Sequence, residues 1–134
     1  HSGVAYPGAD LLALPRFALN EKHGGMARFR TAARALPLPA RNITPADPVL
    51  GPGNNPPIFG FTVTGDIRGL GALGCFASHQ KAALKVEQLG GGRIEVRMQT
   101  AFLPGNHRVN CTMPALGPTN SGRWRWLGQP FTVP

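Results

Sequence analysis

The sequence predicts a mainly β protein: an antiparallel β-sandwich preceded by an N-terminal arm with one short helix. Three observations carry this. First, the chain from Arg93 to Pro134 falls into three stretches, R-I-E-V-R-M-Q, L-P-G-N-H-R-V-N-C-T-M-P and G-R-W-R-W-L-G-Q-P-F-T-V-P. Each alternates apolar and polar residues, and Pro or Gly turns separate them, which is the pattern of half-buried strands. Second, Gly and Pro number 18 and 14 in 134 residues, favouring strands joined by turns over a helical bundle. Third, the only two cysteines, Cys75 and Cys111, each lie inside a strand-like run. They form a natural inter-sheet pair, the alternative being two free buried thiols. The bridge implies an oxidising compartment, the periplasm or the cell exterior.

The elements follow in order. Residues 1–36 make the arm. Pro7-Gly8 and Leu14-Pro15 signal turns, and Phe17-Ala18-Leu19 reads as a short strand. Residues 24–36 predict a helix, because Met26, Phe29, Ala33 and Leu36 recur at three- and four-residue spacing as one apolar stripe. Pro37 stops it. Residues 37–57 hold seven prolines and two glycines among small polar residues, the composition of a stiff linker between two units.

Residues 58–134 then predict the sandwich domain. Its strands are Ile58–Thr64, Ala72–Ser78, Leu84–Leu89, Arg93–Ala101, Arg108–Met113 and Arg123–Leu127, the last continuing through Phe131 and Val133. Gly90-Gly91-Gly92 is a hairpin turn. Alternation sets Leu73, Cys75 and Ala77 on one face of their strand, and Val109, Cys111 and Met113 inward on theirs. Strands recurring at about 8–12 residues fit an immunoglobulin-like or fibronectin-like sandwich. Leu103-Pro104-Gly105, ahead of Cys111, resembles the turn into strand F of such domains. Val109 stands where the tyrosine of a tyrosine corner would be.

The formal charge is +8, and eleven of the fourteen basic residues are Arg. A basic surface suits anionic partners, and arginine grips carboxylate and phosphate bidentately. The basic residues are nevertheless scattered, which equally describes an ordinary solvated surface. No run of about 18 apolar residues is present, so no transmembrane helix is expected. No signal peptide is visible.

Candidate chemistry is sparse. Asp10, Glu21, Asp47, Asp66, Glu87 and Glu95 show no spacing that pairs two carboxylates for glycoside cleavage. Ser2, Ser78 and Ser121 have no evident base partner, and no catalytic residue is assigned. His1, His23, His79 and His107 form no metal-ligand spacing. His1 alone offers an amine and a ring nitrogen, and with His79 or His107 it could build a T-shaped copper site. The R-W-R-W tract sets Arg123 and Arg125 on one strand face, Trp124 and Trp126 on the other. Either the tryptophans are core and the arginines solvated, or the tryptophans form a flat platform for sugar rings, which Tyr6 joins only if the arm folds back. Arginine with tryptophan also stacks nucleic-acid bases, but a disulfide-bearing chain rarely meets them.

Ser2 to Glu21 resembles the tail of a polysaccharide deacetylase domain of the NodB-homology family, where P-G-x-D-x-x-x-L-P-R leads into the last barrel strand. The match is Pro7, Gly8, Asp10, Leu14, Pro15 and Arg16. A-L-P-L-P-A-R-N-I-T-P-A-D-P, R-V-N-C-T-M-P and G-R-W-R-W are similar to the C-terminal extension some of these enzymes carry. The family's aspartate, two histidines and catalytic base have no counterpart here. The resemblance therefore implies a polysaccharide context, export from the cytoplasm, and a carbohydrate-associated accessory module that lacks the metal site and needs no cofactor. The alternative is a secreted copper enzyme acting on polysaccharide through His1. A third reading is an assembly module whose edge strands pair with other chains.

Overall fold

The computed structural model describes residues 25–134 together with Val4, Tyr6 and Phe17. Its elements are one helix, α1 (Met26–Arg34), and eight strands: β1 (Leu36–Pro37), β2 (Ala40–Thr44), β3 (Phe59–Val63), β4 (Gly74–Ala77), β5 (Lys85–Gly90), β6 (Arg93–Arg97), β7 (Gly105–Pro114) and β8 (Trp124–Val133). The strands form two four-stranded sheets, ordered β1-β8-β7-β4 (sheet A) and β2-β3-β6-β5 (sheet B). All pairs are antiparallel except β1 with β8. The mainly β sandwich with a single helix that the alternation predicts is the fold observed. The strand expected at Phe17-Ala18-Leu19 and the turns at Pro7-Gly8 and Leu14-Pro15 lie outside the described residues, Phe17 excepted.

The core lies between the sheets. Phe59, Phe61, Ile94 and Val96 from sheet B meet Val109, Phe131 and the two cysteines from sheet A, all nearly or fully excluded from solvent. The rings of Phe59 and Phe131 meet edge to face across the sheets, their centroids 5.8 Å apart. Phe102, between β6 and β7, stacks on Phe131 at 6.1 Å. Such geometry adds to the burial of apolar area.

Gly90, Gly91 and Gly92 all have positive φ, and Gly90 pairs with Arg93, leaving Gly91 and Gly92 as the turn. A type I′ hairpin requires both central residues in that region.

Three expectations are corrected. The disulfide joins Cys75 and Cys111 as proposed, but its cysteines sit directly opposite on neighbouring strands β4 and β7 of one sheet, with Cα atoms 4.1 Å apart. It staples a strand pair, and the two sheets are held together by apolar packing instead. Residues 37–57, expected as a linker, contribute β2 to sheet B and Leu38 and Leu50 to the core. Proline tolerates this because the pieces lie at sheet edges: β1 and Val49 both run along the free side of β8. Asn55 ties the same stretch down, accepting from the Phe102 N–H and donating to its carbonyl, both at 2.8 Å. Third, α1 buries no residue, and its apolar stripe faces away from the sheet, with Met26 62% and Phe29 47% exposed. Ala27, Arg28, Thr31 and Ala32 approach Trp126 instead. The helix leads within two residues into β1, whose pairing with β8 fixes its rotation.

Candidate functional site

Alternation along β4, β7 and β8 sends odd residues inward and even residues to the outer face of sheet A. Register then places Phe76, Asn110 and Gly128 in one row, and Gly74, Thr112 and Trp126 in the next. Trp124 follows opposite Pro114. Each of the first two rows holds one aromatic, one hydrogen-bonding side chain and one glycine, so neither aromatic has a large neighbour at the far strand. Phe76 is 50% exposed and Trp124 40%. Trp126 is half-buried; Phe17 meets it edge-on at 4.9 Å, and its indole N–H donates to Asn110 Oδ1 at 3.4 Å. Neither tryptophan belongs to the core.

The arginines of the tract behave differently from either expectation. Arg123 Nε donates to the Arg34 carbonyl at 2.7 Å, and Arg125 Nη1 to the Pro37 carbonyl at 3.2 Å. Arg34 Nη2 returns a bond to the Ser121 carbonyl at 3.3 Å. The Arg34 carbonyl, at the C-terminus of α1, lacks an intrahelical partner and carries partial negative charge, so a guanidinium suits it. Arg123 and Arg125 thus latch α1 and β1 onto the sandwich.

Phe76 is the residue that the sequence reading missed. The signal was available: it stands between Cys75 and Ala77, both assigned inward, so alternation puts it outward. Tyr6 is half exposed.

The histidines form a second cluster. His79 and His107 have ring centroids 5.5 Å apart, at the rim of a shallow cavity of about 360 Å³ that Phe102 and Leu103 also line. His107 stacks on Phe102 at 4.6 Å. Its Nε2 lies 2.6 Å from the Leu103 carbonyl oxygen, an acceptor, so Nε2 carries a proton and donates it. Nδ1 is 3.5 Å from Ser78 Oγ, and that oxygen already accepts the Arg108 N–H at 3.0 Å. The separation exceeds the roughly 2.6–3.2 Å at which a base takes a proton from a nucleophile. His1 and His23 lie outside the described residues, and so do Asp10 and Glu21. Among the described residues no three metal-ligating side chains converge. The rings of His79 and His107, the two candidates for the second copper ligand, meet each other, while His1 lies outside the described residues.

Asp66 is held well below the ordinary carboxylate range, at about 2, chiefly by the Arg68 side chain and then by the Arg68 backbone N–H. The ion pair at 2.7 Å is exposed and lies in the loop after β3. No helix among the described residues is long and apolar enough to cross a membrane. No family model, curated protein or solved structure matches the chain.

Proposed function

We propose that this chain is a carbohydrate-associated accessory module of a polysaccharide-active system, binding glycan on the outer face of sheet A. The observation that carries the reading is the strip Phe76, Trp126 and Trp124, set among Asn110, Thr112 and two glycines on one sheet face. Aromatic faces offer apolar C–H-bearing sugar rings a stacking surface, and amide and hydroxyl groups beside them meet ring hydroxyls. The resemblance of Ser2 to Glu21 to the tail of a polysaccharide deacetylase points to the same context. The match residues Pro7, Gly8, Asp10, Leu14, Pro15 and Arg16 lie outside the described residues.

Strand order supports an immunoglobulin-like assignment for the scaffold. Sheet B, β2-β3-β6-β5, and the β4-β7-β8 part of sheet A follow the A-B-E-D and C-F-G orders of constant-type domains. The disulfide departs from that pattern, since it would join strands C and F within a sheet. An oxidised cysteine pair accords with a periplasmic or extracellular setting.

Retention of the chain on insoluble polysaccharides tests the reading. Trp124→Ala and Phe76→Ala should each weaken retention at least about fivefold, the effect of removing a stacked aromatic, with thermal unfolding unchanged within a few degrees. No retention on any glycan would overturn the reading. Loss of folding in both variants would assign these side chains to structure.

A further inference from the structure

Resting on the glycan-binding reading above, we infer that the glycan is anionic, its carboxylates received by Arg28 beside Trp126 and by Arg108 beyond Phe76. Among the strands, carboxylates are found on sheet B alone. On sheet B, Arg97 lies 3.2 Å from Glu95 and 3.6 Å from Glu87, and Lys85 is 3.4 Å from Glu87. Arg93 is engaged by the Asn42 carbonyl and Thr44 Oγ1. Of the six carboxylate residues, Asp10 and Glu21 lie outside the described residues, Asp47 and Asp66 stand in loops, and Glu87 and Glu95 are on sheet B. Sheet A and α1 therefore carry Arg28, Arg30, Arg34, Arg108 and Arg125 with no carboxylate. Arg125 is within electrostatic reach of Asp66, whereas Arg28, Arg30, Arg34 and Arg108 form no ion pair among the described residues; such cations raise the local potential for anions.

Two of these arginines adjoin the aromatics. Arg28 lines a cavity of about 270 Å³ with Trp126, Phe17, Ala27, Thr31 and Ala32. Its Nε is buried and has no hydrogen-bond partner. A carboxylate entering the cavity meets the Arg28 guanidinium, a charge-assisted partner for an anion. On the Phe76 side Arg108 is exposed, on the outer face of β7, two residues before Asn110, the partner of Phe76. A neutral sugar chain satisfies the aromatics but brings no anion to the two guanidinium groups. A uronic-acid chain satisfies both, its rings on the aromatics and its carboxylates on the guanidinium groups.

The experiment is calorimetric titration of the full chain with oligogalacturonate and with its methyl ester, which keeps the ring and removes the charge. The acid form should bind at least about tenfold more tightly, as charge-assisted bonds require, and raising the salt should weaken it. Arg28→Gln and Arg108→Gln should each lower affinity for the acid several-fold and leave the ester unchanged. Arg97→Gln, an equal loss of charge on sheet B, should change neither. Should Arg28→Gln unfold α1, Arg108→Gln on β7 carries the test. Equal binding of acid and ester, abolished alike by Trp124→Ala, would overturn the anionic assignment and leave the glycan module standing. Acid binding that survives both arginine variants would also overturn it. Failure to bind either form, or any neutral glycan, would remove the module and this inference together.

Discussion

Single residues in this protein do work that their exposure alone would not suggest. Asp66 and Arg68 are two positions apart in a loop, yet the guanidinium donates to both carboxylate oxygens and the Arg68 N–H to one of them. These bonds favour the charged form, so the carboxyl stays ionised to about 2 rather than 3.8. With the folded value lowered, the pair's contribution is full above the ordinary value and is lost as pH falls from there through the lowered one. A carboxyl-carbon NMR titration should show Asp66 protonating near 2, and Arg68→Gln should return it toward 3.8. An unshifted Asp66 in the intact protein would remove the pair. Gly92 shows the reverse dependence, of residue on surroundings. Its φ is +82, and a β-carbon there would stand 2.5 Å from the Val63 carbonyl oxygen. The hairpin's third glycine is thus required both by its turn and by the β3 backbone beside it, whose Val63 N–H donates to the Gly92 carbonyl.

At the scale of elements, α1 has no buried face to hold it. Packing against the sheet is slight, and most helices owe their stability to such packing. Its C-terminal end is fixed instead by polar bonds: Arg123 on the Arg34 carbonyl, and Arg34 on the Ser121 carbonyl. Arg123→Ala should therefore speed amide exchange across Met26–Arg34 several-fold, with exchange in β3 and β7 unchanged. The cost is about 1.5–3 kcal/mol at most, the range for a hydrogen bond to a charged group, and less for a half-exposed one. Equal exchange in the variant and the parent would show that something else secures the helix. The R-W-R-W tract thereby divides its labour: the arginines anchor the arm, and the tryptophans build the outer face.

At the scale of the molecule, the disulfide and the core divide differently from the expected arrangement. A bridge between neighbouring strands closes a loop of 36 positions through β4, β5, β6 and β7. The constraint on the unfolded chain depends on that span alone, so it is as large as an inter-sheet bridge of the same span would give. The double variant Cys75→Ala/Cys111→Ala should lose roughly 3–4 kcal/mol of unfolding free energy in urea, by the loop-entropy relation. Because Phe59, Phe61, Phe131 and Phe102 join the sheets independently of the sulfurs, its near-ultraviolet dichroism should keep the aromatic signature of a packed core. Loss of that signature would mean that the sulfurs, and not the phenylalanines, organise the sandwich.

Local pattern carried much of this. The alternation of Leu73, Cys75 and Ala77, and of Val109, Cys111 and Met113, named inward residues that are all buried. The triple glycine named its hairpin, and the two cysteines named each other. What alternation along one strand cannot contain is the identity of the strand beside it. Only the tertiary structure decided that Cys75 and Cys111 face one another inside a single sheet. The same holds for the proline-rich stretch, whose β2 and Leu50 belong to the sandwich because β3 and β8 offer them unpaired edges and an apolar gap. It holds for α1 too, whose apolar periodicity correctly predicted a helix but not which side meets Trp126. The inward or outward sense of a side chain is set within a few residues, by the backbone's own period. Strand order and the covering of the tryptophan face depend on contacts between distant parts of the chain, which no local window of residues records.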